Sequence, residues 1–333
     1  MGLKKIIFRG EANNKIGWGH ISRLVSIANY CEGKYYRILV VNKYDKELGS
    51  LIKDNFDEIV ELNFNETNLY TINEIELYVS LADIIVLDGY HFSSDYQRLV
   101  KLKNKKLIYI DDLISHDYYA DVIINHAIGV DEFKYKKQSY SKLFLGPGYL
   151  MLREDFINHK PIFKLNDDRT ILLCFGGADP ENFTQKVLNV CYGIKNCNIR
   201  IILGASNQSF NKKEIKNNVV VLNNLNTIDL IKEMTNASVF ICSASTIAYE
   251  ACTLGVPLLI LKTSDNQQLI YRGLIENKCA LGFDISANTN SIELVENILY
   301  NTILRQEIYN QQLLLFKGDV KNNYLGIFTQ LDA

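Results

Sequence analysis

The chain of 333 residues has no excess of either charge: 36 Lys and Arg stand against 38 Asp and Glu. A basic nucleic-acid footprint is therefore absent as a bulk property. There is no C-x-x-C pair, and seven cysteines are an odd number; in a chain of this length and ordinary globular composition a disulfide-stapled miniprotein is excluded. Cys174, Cys242 and Cys252 sit in apolar runs and are expected as buried free thiols in a reducing cytoplasm. No long apolar run is present. The longest, Val239 to Leu261, is broken by Glu250 and Pro257, so no membrane span is expected. The first residues lack an apolar h-region and a small-residue cleavage site, and Ile6 stands where a myristoylation signal needs Ser or Thr. A soluble, cytoplasmic protein is expected. Proline (4) and tryptophan (1) are scarce, which reads as composition drift without a functional message. Neither H-x-x-x-H nor a Cys/His metal spacing occurs, so neither a metal nor a cofactor is expected.

What is there is ordinary globular material, 47% hydrophobic and 22% charged, enough for two domains of roughly 150 residues. Short apolar runs alternate with amphipathic stretches. Strands are expected at Lys5 to Phe8, Arg37 to Val41, Ile84 to Leu87, Leu107 to Ile110 and Val122 to Ile124. Helices are expected from about Ile21 to Tyr30 and from Tyr96 to Lys103. The rhythm restarts at Ile171 to Phe175, with a helix from about Glu181 to Gly193. Further strands follow at Arg200 to Leu203, Val219 to Leu222, Val239 to Cys242 and Leu258 to Leu261. A last helix is expected from about Ile303 to Lys317. This alternation predicts two doubly wound α/β domains with parallel sheets, facing a cleft. The expected division is 1–150, a linker over 151–168 that includes Asn166, Asp167 and Asp168, and 169–333, with the last helix a candidate to cross back. Ligands of such sheets sit at the carboxyl ends of the strands, so the loops there are the places to look.

The first loop, Arg9-Gly10-Glu11 through Gly17-Trp18-Gly19-His20, follows a strand and opens a helix. Its glycines permit close backbone approach. A helix N-terminus favours a neutral imidazole, the form a general base requires, and Arg23 stands one turn on. The spacing is not G-x-G-x-x-G, and no acid closes the second strand, so a dinucleotide is not expected. In the second loop, Phe175-Gly176-Gly177-Ala178-Asp179-Pro180, glycines expose backbone N–H groups to an anion. The plain alternative there is Asp179 as N-cap with Pro180 at the first helical position. The third, Ser243-Ala244-Ser245-Thr246, offers hydroxyls to phosphate. Glu250 lies a turn beyond, where a carboxylate in an apolar helix is costly unless paired or bound. Asn266-Gln267 follow the next strand. Asp88, Asp111 and Asp112 are strand-end carboxylates that can equally cap helices. His116, His126 and His159 are read as surface or loop residues, and Phe133 to Lys137 as a solvated loop.

The order of these motifs resembles the bacterial UDP-sugar hydrolases of pseudaminic acid biosynthesis over essentially the whole chain. The carriers are Phe8-Arg9 with Gly17-Trp18-Gly19-His20-Ile21-Ser22-Arg23, Asp88-x-Tyr90, Ile110-Asp111-Asp112-Leu113 and Ala120-Asp121-x-x-Ile124-Asn125. They continue with Leu145-Gly146-Pro147-x-Tyr149-x-x-Leu152-Arg153-x-x-Phe156, Phe175-Gly176-Gly177-x-Asp179-Pro180, Ser243-Ala244-Ser245 with Glu250, and Asn266-Gln267. Those hydrolases act on UDP-2,4-diacetamido-2,4,6-trideoxy-β-L-altropyranose. They are similar to the lipid II-forming N-acetylglucosaminyltransferase and share its two-domain GT-B fold.

The resemblance implies that His20 is catalytic. It implies that Gly176, Gly177, Ser243, Ala244, Ser245 and Thr246 surround the diphosphate and that Glu250 meets the ribose. Arg9, Glu11, Gly19, Asp88, Tyr90 and Arg153, with Asn266 and Gln267, would line the sugar and phosphates. The implied partners are a UDP-sugar and water, with no nucleic acid and no membrane. Two departures face the sugar side: Arg9-Gly10-Glu11 replaces the common Arg-Ala-Asp, and Gly89 stands where His is common. The alternatives are a GT-B glycosyltransferase, a UDP-sugar 2-epimerase, or a nucleotide-sugar-binding protein without turnover.

Overall fold

The computed structural model describes residues 2–12, 18–44, 46–64, 70–103, 105–164, 169–176, 179–204, 207, 210–211, 215–216, 218–285 and 288–332. The expectations at Gly17, at Asn166 to Asp168 and at Gly177-Ala178 lie outside the described residues. The chain divides into two units: Met1–Glu154 with Asp319–Ala333, and Asp155–Gly318.

The first unit runs β1 (Lys5–Gly10), α1 (Gly19–Tyr30), β2 (Tyr36–Val41), α2 (Lys46–Ile52), β3 (Glu58–Glu61), α3 (Ile72–Tyr78), β4 (Ile84–Asp88) and α4 (Ser94–Leu102). It continues with β5 (Lys106–Ile110), β6 (Asp117–Tyr118), β7 (Val122–Asn125), β8 (Lys136–Lys137) and β9 (Lys142–Leu145). Seven strands form one sheet in the order β3-β2-β1-β4-β5-β7-β9, and every neighbouring pair is parallel. A parallel sheet is covered on both faces, so its central strands read as continuous apolar runs. All of β4 and all but the first residue of β1 are buried.

The second unit holds α5 (Glu154–Asn158), β10 (Thr170–Cys174), α6 (Phe183–Cys191), β11 (Asn198–Leu203), β12 (Val219–Asn223), α7 (Thr227–Asn236), β13 (Val239–Ser243) and α8 (Thr246–Leu254). After these come β14 (Leu258–Leu261), α9 (Gln268–Glu276), β15 (Leu281–Gly282), α10 (Asn288–Tyr300) and α11 (Thr302–Leu315). Its parallel sheet has the order β12-β11-β10-β13-β14-β15. In both sheets the first strand in sequence lies in the middle and the order reverses beside it. This doubly wound pattern places a switch point between β1 and β4, and another between β10 and β13.

The expected last helix at 303–317 is not the last. A further helix, α12 (Val320–Asp332), returns to the first unit. Tyr324 packs on Tyr30 with ring centroids 5.3 Å apart and donates its hydroxyl to the Tyr149 carbonyl. Asn323 donates to the Gly148 carbonyl at 2.8 Å.

Candidate active site

The first switch point is assembled by α1. The helix starts at Gly19, two residues before the expected Ile21, so His20 lies in its first turn. His20 and Arg23 are three apart and share one helix face, and both are buried. Gly10 makes their approach possible. A Cβ there would stand 2.7 Å from the end of the Leu24 side chain and 3.2 Å from the Asp88 carbonyl oxygen, so any larger residue would have to displace Leu24 and crowd the end of β4.

Asp88, at the end of β4, receives both side chains. His20 Nδ1 lies 2.7 Å from Asp88 Oδ1. Arg23 donates Nε to Oδ2 at 2.9 Å and Nη2 to Oδ1 at 2.5 Å. An ionised carboxylate only accepts, so Nδ1 carries the proton in this contact and Nε2 of a neutral ring is left as the acceptor. Arg23 Nη2 also lies 3.0 Å from Nδ1, which places two donors around one oxygen. The third guanidinium nitrogen, Nη1, donates to Asp112 Oδ1 at 2.6 Å. Tyr90 donates its hydroxyl to Asp112 Oδ2 at 3.0 Å and meets the His20 ring edge-on, with centroids 4.8 Å apart. The contacts therefore close a ring: His20, Asp88, Arg23, Asp112, Tyr90 and back to His20.

The electrostatics follow from burial and pairing. Burial alone would raise the Asp112 carboxyl, but the Arg23 guanidinium outweighs it and holds the group at about 2. Burial, with Arg23 beside it, pushes His126 down to about 4. Burial, with Arg9 beside it, pushes His91 down to about 3. Both rings are neutral near pH 7. His126 lies in the loop after β7, as its sequence position suggested, but it is buried there and not on the surface.

Three residues expected to line the sugar side are buried and bonded to other side chains. Arg9 and Asp88 are each 0% exposed, and Glu11 is buried. Arg9 donates Nε to Glu74 Oε1 at 2.8 Å, and its Nη1 pairs with Glu11 Oε1 at 2.6 Å. Its guanidinium also faces the rings of Phe92 and Tyr70. Glu11 further accepts the Asn42 backbone N–H. Burial raises the Glu11 carboxyl, against the pull of Arg9. This network supports the β1 end from behind, and Asp88 is a support for His20. Asp111, by contrast, is structural: it accepts the hydroxyls of Tyr118 and Tyr135 at 2.7 and 2.8 Å and the Asn125 amide. Tyr90 and Gly19 are exposed. Arg153 lies half-buried on the stretch leading into α5.

At the second unit's switch point, Gly176 follows β10 with φ of +89°, a conformation that favours glycine. Asp179 does cap α6. Its carboxylate accepts from the Phe183 and Thr184 backbone N–H groups at 2.8 and 2.9 Å and from the Thr184 hydroxyl at 2.6 Å. The helix begins only at Phe183, however, so Pro180 is not its first residue and the expected start at Glu181 is two residues early. Ser243 ends β13, and its hydroxyl lies 2.9 Å from that of Ser245. Ser245 is the N-cap of α8, but its side chain makes no capping bond. Ala244 is buried and Thr246 opens the helix. Glu250 is only 6% exposed, so it is not on a wet face. Asn266 is exposed, and Gln267 is held within its own loop by Thr263, through the backbone N–H at 2.8 Å and the hydroxyl at 2.9 Å.

The sequence singled out His20, Asp88 and Tyr90 and noted Arg23 but gave it no role. It left Asp112 undecided and did not show that the loop residue His126 is buried. The i, i+3 spacing of His20 and Arg23 was the available signal for the first omission. Nothing local points from Asp112, 89 positions away, back to Arg23.

Two parallel sheets of this order, each in a Rossmann-like α/β domain, define a GT-B type fold. The crystal structure of MurG from Acinetobacter baumannii matches with a TM-score of 0.68 and 14% identity, covering 98% of this chain and 99% of that one. No protein-family model matches the chain. Among curated proteins, an uncharacterised protein of Methanocaldococcus jannaschii is 27% identical over 285 residues, 80% of this chain, and the match spans 57% of that protein's length. The spore coat polysaccharide biosynthesis protein SpsG of Bacillus subtilis is 25% identical, over 91% of this chain and 89% of SpsG. The UDP-2,4-diacetamido-2,4,6-trideoxy-β-L-altropyranose hydrolase of Campylobacter jejuni is 25% identical, over 75% of this chain and 88% of that enzyme. The chain is a distant homologue of that hydrolase and of SpsG. Among the described residues, no helix is long and apolar enough to cross a membrane.

Proposed function

We propose that the chain hydrolyses a UDP-activated 2,4-diacetamido-2,4,6-trideoxy sugar to the free sugar and UDP, in nonulosonic (pseudaminic) acid biosynthesis. The observation that carries the reading is the contact of His20 Nδ1 with buried Asp88. It fixes the ring's tautomer and leaves Nε2 to accept a proton. The likeness to the Campylobacter hydrolase supports the choice of substrate.

In this reading Nε2 takes a proton from a water whose oxygen bonds to the anomeric carbon opposite UDP. The bond from that carbon to the diphosphate oxygen breaks with its electron pair, and the configuration inverts. The transition state has oxocarbenium character. The imidazolium that forms is held by Asp88, both of whose oxygens Arg23 also grips. The second unit holds UDP. The N-terminus of α8 beside Ser243 and Ser245, and the backbone at Gly176 and Gly177, favour the diphosphate, and Glu250 accepts from the ribose. Tyr90, Gly19, Arg153, Asn266 and Gln267 contribute to the sugar and phosphate side.

Steady-state UDP release tests the base. His20→Gln should lower kcat by about two to four orders of magnitude. Asp88→Asn should lower it by about 10²-fold or more with little change in KM, because the tautomer is lost while binding is not. A loss below tenfold in a folded His20→Gln protein would sink the assignment. A second reading, transfer of the sugar to an organic acceptor, is favoured by the fold and by the likeness to SpsG; it would use the same base and the same nucleotide site.

A further inference from the structure

The ring of contacts around His20 contains a charge imbalance. Asp88 and Asp112 contribute two carboxylates, both bonded to one guanidinium, Arg23. With His20 neutral, the four side chains carry one negative charge; with His20 protonated they carry none. We infer that Asp112, which does not touch the imidazole, is the counter-charge that makes room for the proton His20 takes up, and so sets how strong a base His20 is.

The geometry supports this division of roles. Asp88 alone would be neutralised by Arg23, which grips both of its oxygens. Asp112 draws off the third guanidinium nitrogen, so Arg23 is shared between two anions and Asp88 keeps part of its negative field for Nδ1. Coulomb interactions in a buried site are screened far less than at the surface, and these side chains are buried, Asp112 least so. The neighbouring carboxylate of Asp111 is engaged by the hydroxyls of Tyr118 and Tyr135 and the Asn125 amide, and is the same in every variant below; among the described residues, the remaining titratable groups around the cluster add no charge near pH 7. On the β4 loop these are Tyr90 and His91; on β5, Tyr109; after β7, His126; on α12, Tyr324. Burial keeps all but Tyr90 uncharged near pH 7, pushing the histidines down and the tyrosines up. The hydroxyl of Tyr90 donates to Asp112. Arg9 is occupied by Glu11 and Glu74 in its own network. Asp112 is thus a positioning residue for charge, acting through Arg23.

The inference rests on His20 being the base, but its test needs no substrate. The His20 ring resonances of the full chain are followed by NMR against pH, assigned by their absence in His20→Gln. Asp112→Asn should move the midpoint down by about one pH unit, the size expected for losing a nearby opposite charge. Arg23→Gln should move it up, because two carboxylates are then left facing the ring. Asp112→Glu should stay near the parent value, and so should Tyr90→Phe, which removes a hydroxyl but no charge. Opposite shifts in the two charge variants separate this account from mere loosening, and Arg23→Gln remains a test if Asp112→Asn does not fold. An unmoved midpoint in Asp112→Asn, or shifts of the same sign in both variants, would overturn it. Parent protein that releases no UDP from any sugar would instead remove the hydrolase reading and leave these titrations standing.

Discussion

At the residue scale, what distinguishes this protein is charge buried in sets. Arg23 with two aspartates and Arg9 with two glutamates each hold more carboxylates than guanidinium groups. Breaking one partner of such a set leaves an uncompensated buried charge, which is costly. Apart from the neighbouring Arg9 and Glu11, the partners lie 65 to 89 positions apart, so the sets were invisible in the sequence. Strand-end position suggested chemistry for Arg9, Glu11 and Asp88 but could not say that they turn inward. His126 makes a stability prediction. An unfolded histidine titrates near 6.5, whereas burial beside Arg23 brings His126 to about 4. Between those values the unfolded chain binds the extra proton, so the folded state weakens as pH falls from 6.5 to 4, by up to about 3 kcal/mol. Asp112, held at about 2, acts lower: its contribution is intact above about pH 4 and is lost as pH falls toward 2. Urea unfolding at pH 7 and pH 4.5 should show the first decline, and His126→Asn should flatten it. An equal decline in that variant would assign the acid sensitivity elsewhere.

At the element scale, α1 matters most, because it carries His20 and Arg23 on the face it buries. Its seat depends on the absent side chain at Gly10. Gly10→Ala should push α1 away from β4, costing about 1–3 kcal/mol as overpacking does. It should also lower kcat more than stability alone explains, since the His20 to Asp88 distance opens. Urea midpoints and kcat measured on one preparation check this; full activity would show that the helix tolerates the shift. Most of the strands were legible, because buried parallel strands are plain apolar runs such as RILVV and LLIL. Helix starts were less so. Asp179-Pro180 reads as a cap and first turn, yet the capping carboxylate reaches forward to Phe183 and Thr184, a geometry that spacing alone does not distinguish.

At the scale of the whole molecule, the restart of the β-α rhythm near Ile171 was legible, and each unit has a buried core of its own. A last helix that crosses back was expected, but at 303–317; α12 itself was not read. Its apolar residues Val320, Tyr324, Ile327 and Phe328 have helical spacing, but periodicity reports a face and not the core that face joins. His20 stands at the switch point of one sheet and the N-terminus of α8 at that of the other; the proposed hydrolysis assigns the base to the first and the diphosphate to the second. The most direct test is to incubate the full chain with UDP-2,4-diacetamido-2,4,6-trideoxy-β-L-altropyranose and no acceptor, following the anomeric signal and UDP by NMR. UDP should be released with inversion at the anomeric carbon, and His20→Gln should slow that release by about two to four orders of magnitude. Tight binding with the sugar–UDP bond left intact would contradict it and point to a transferase waiting for its acceptor.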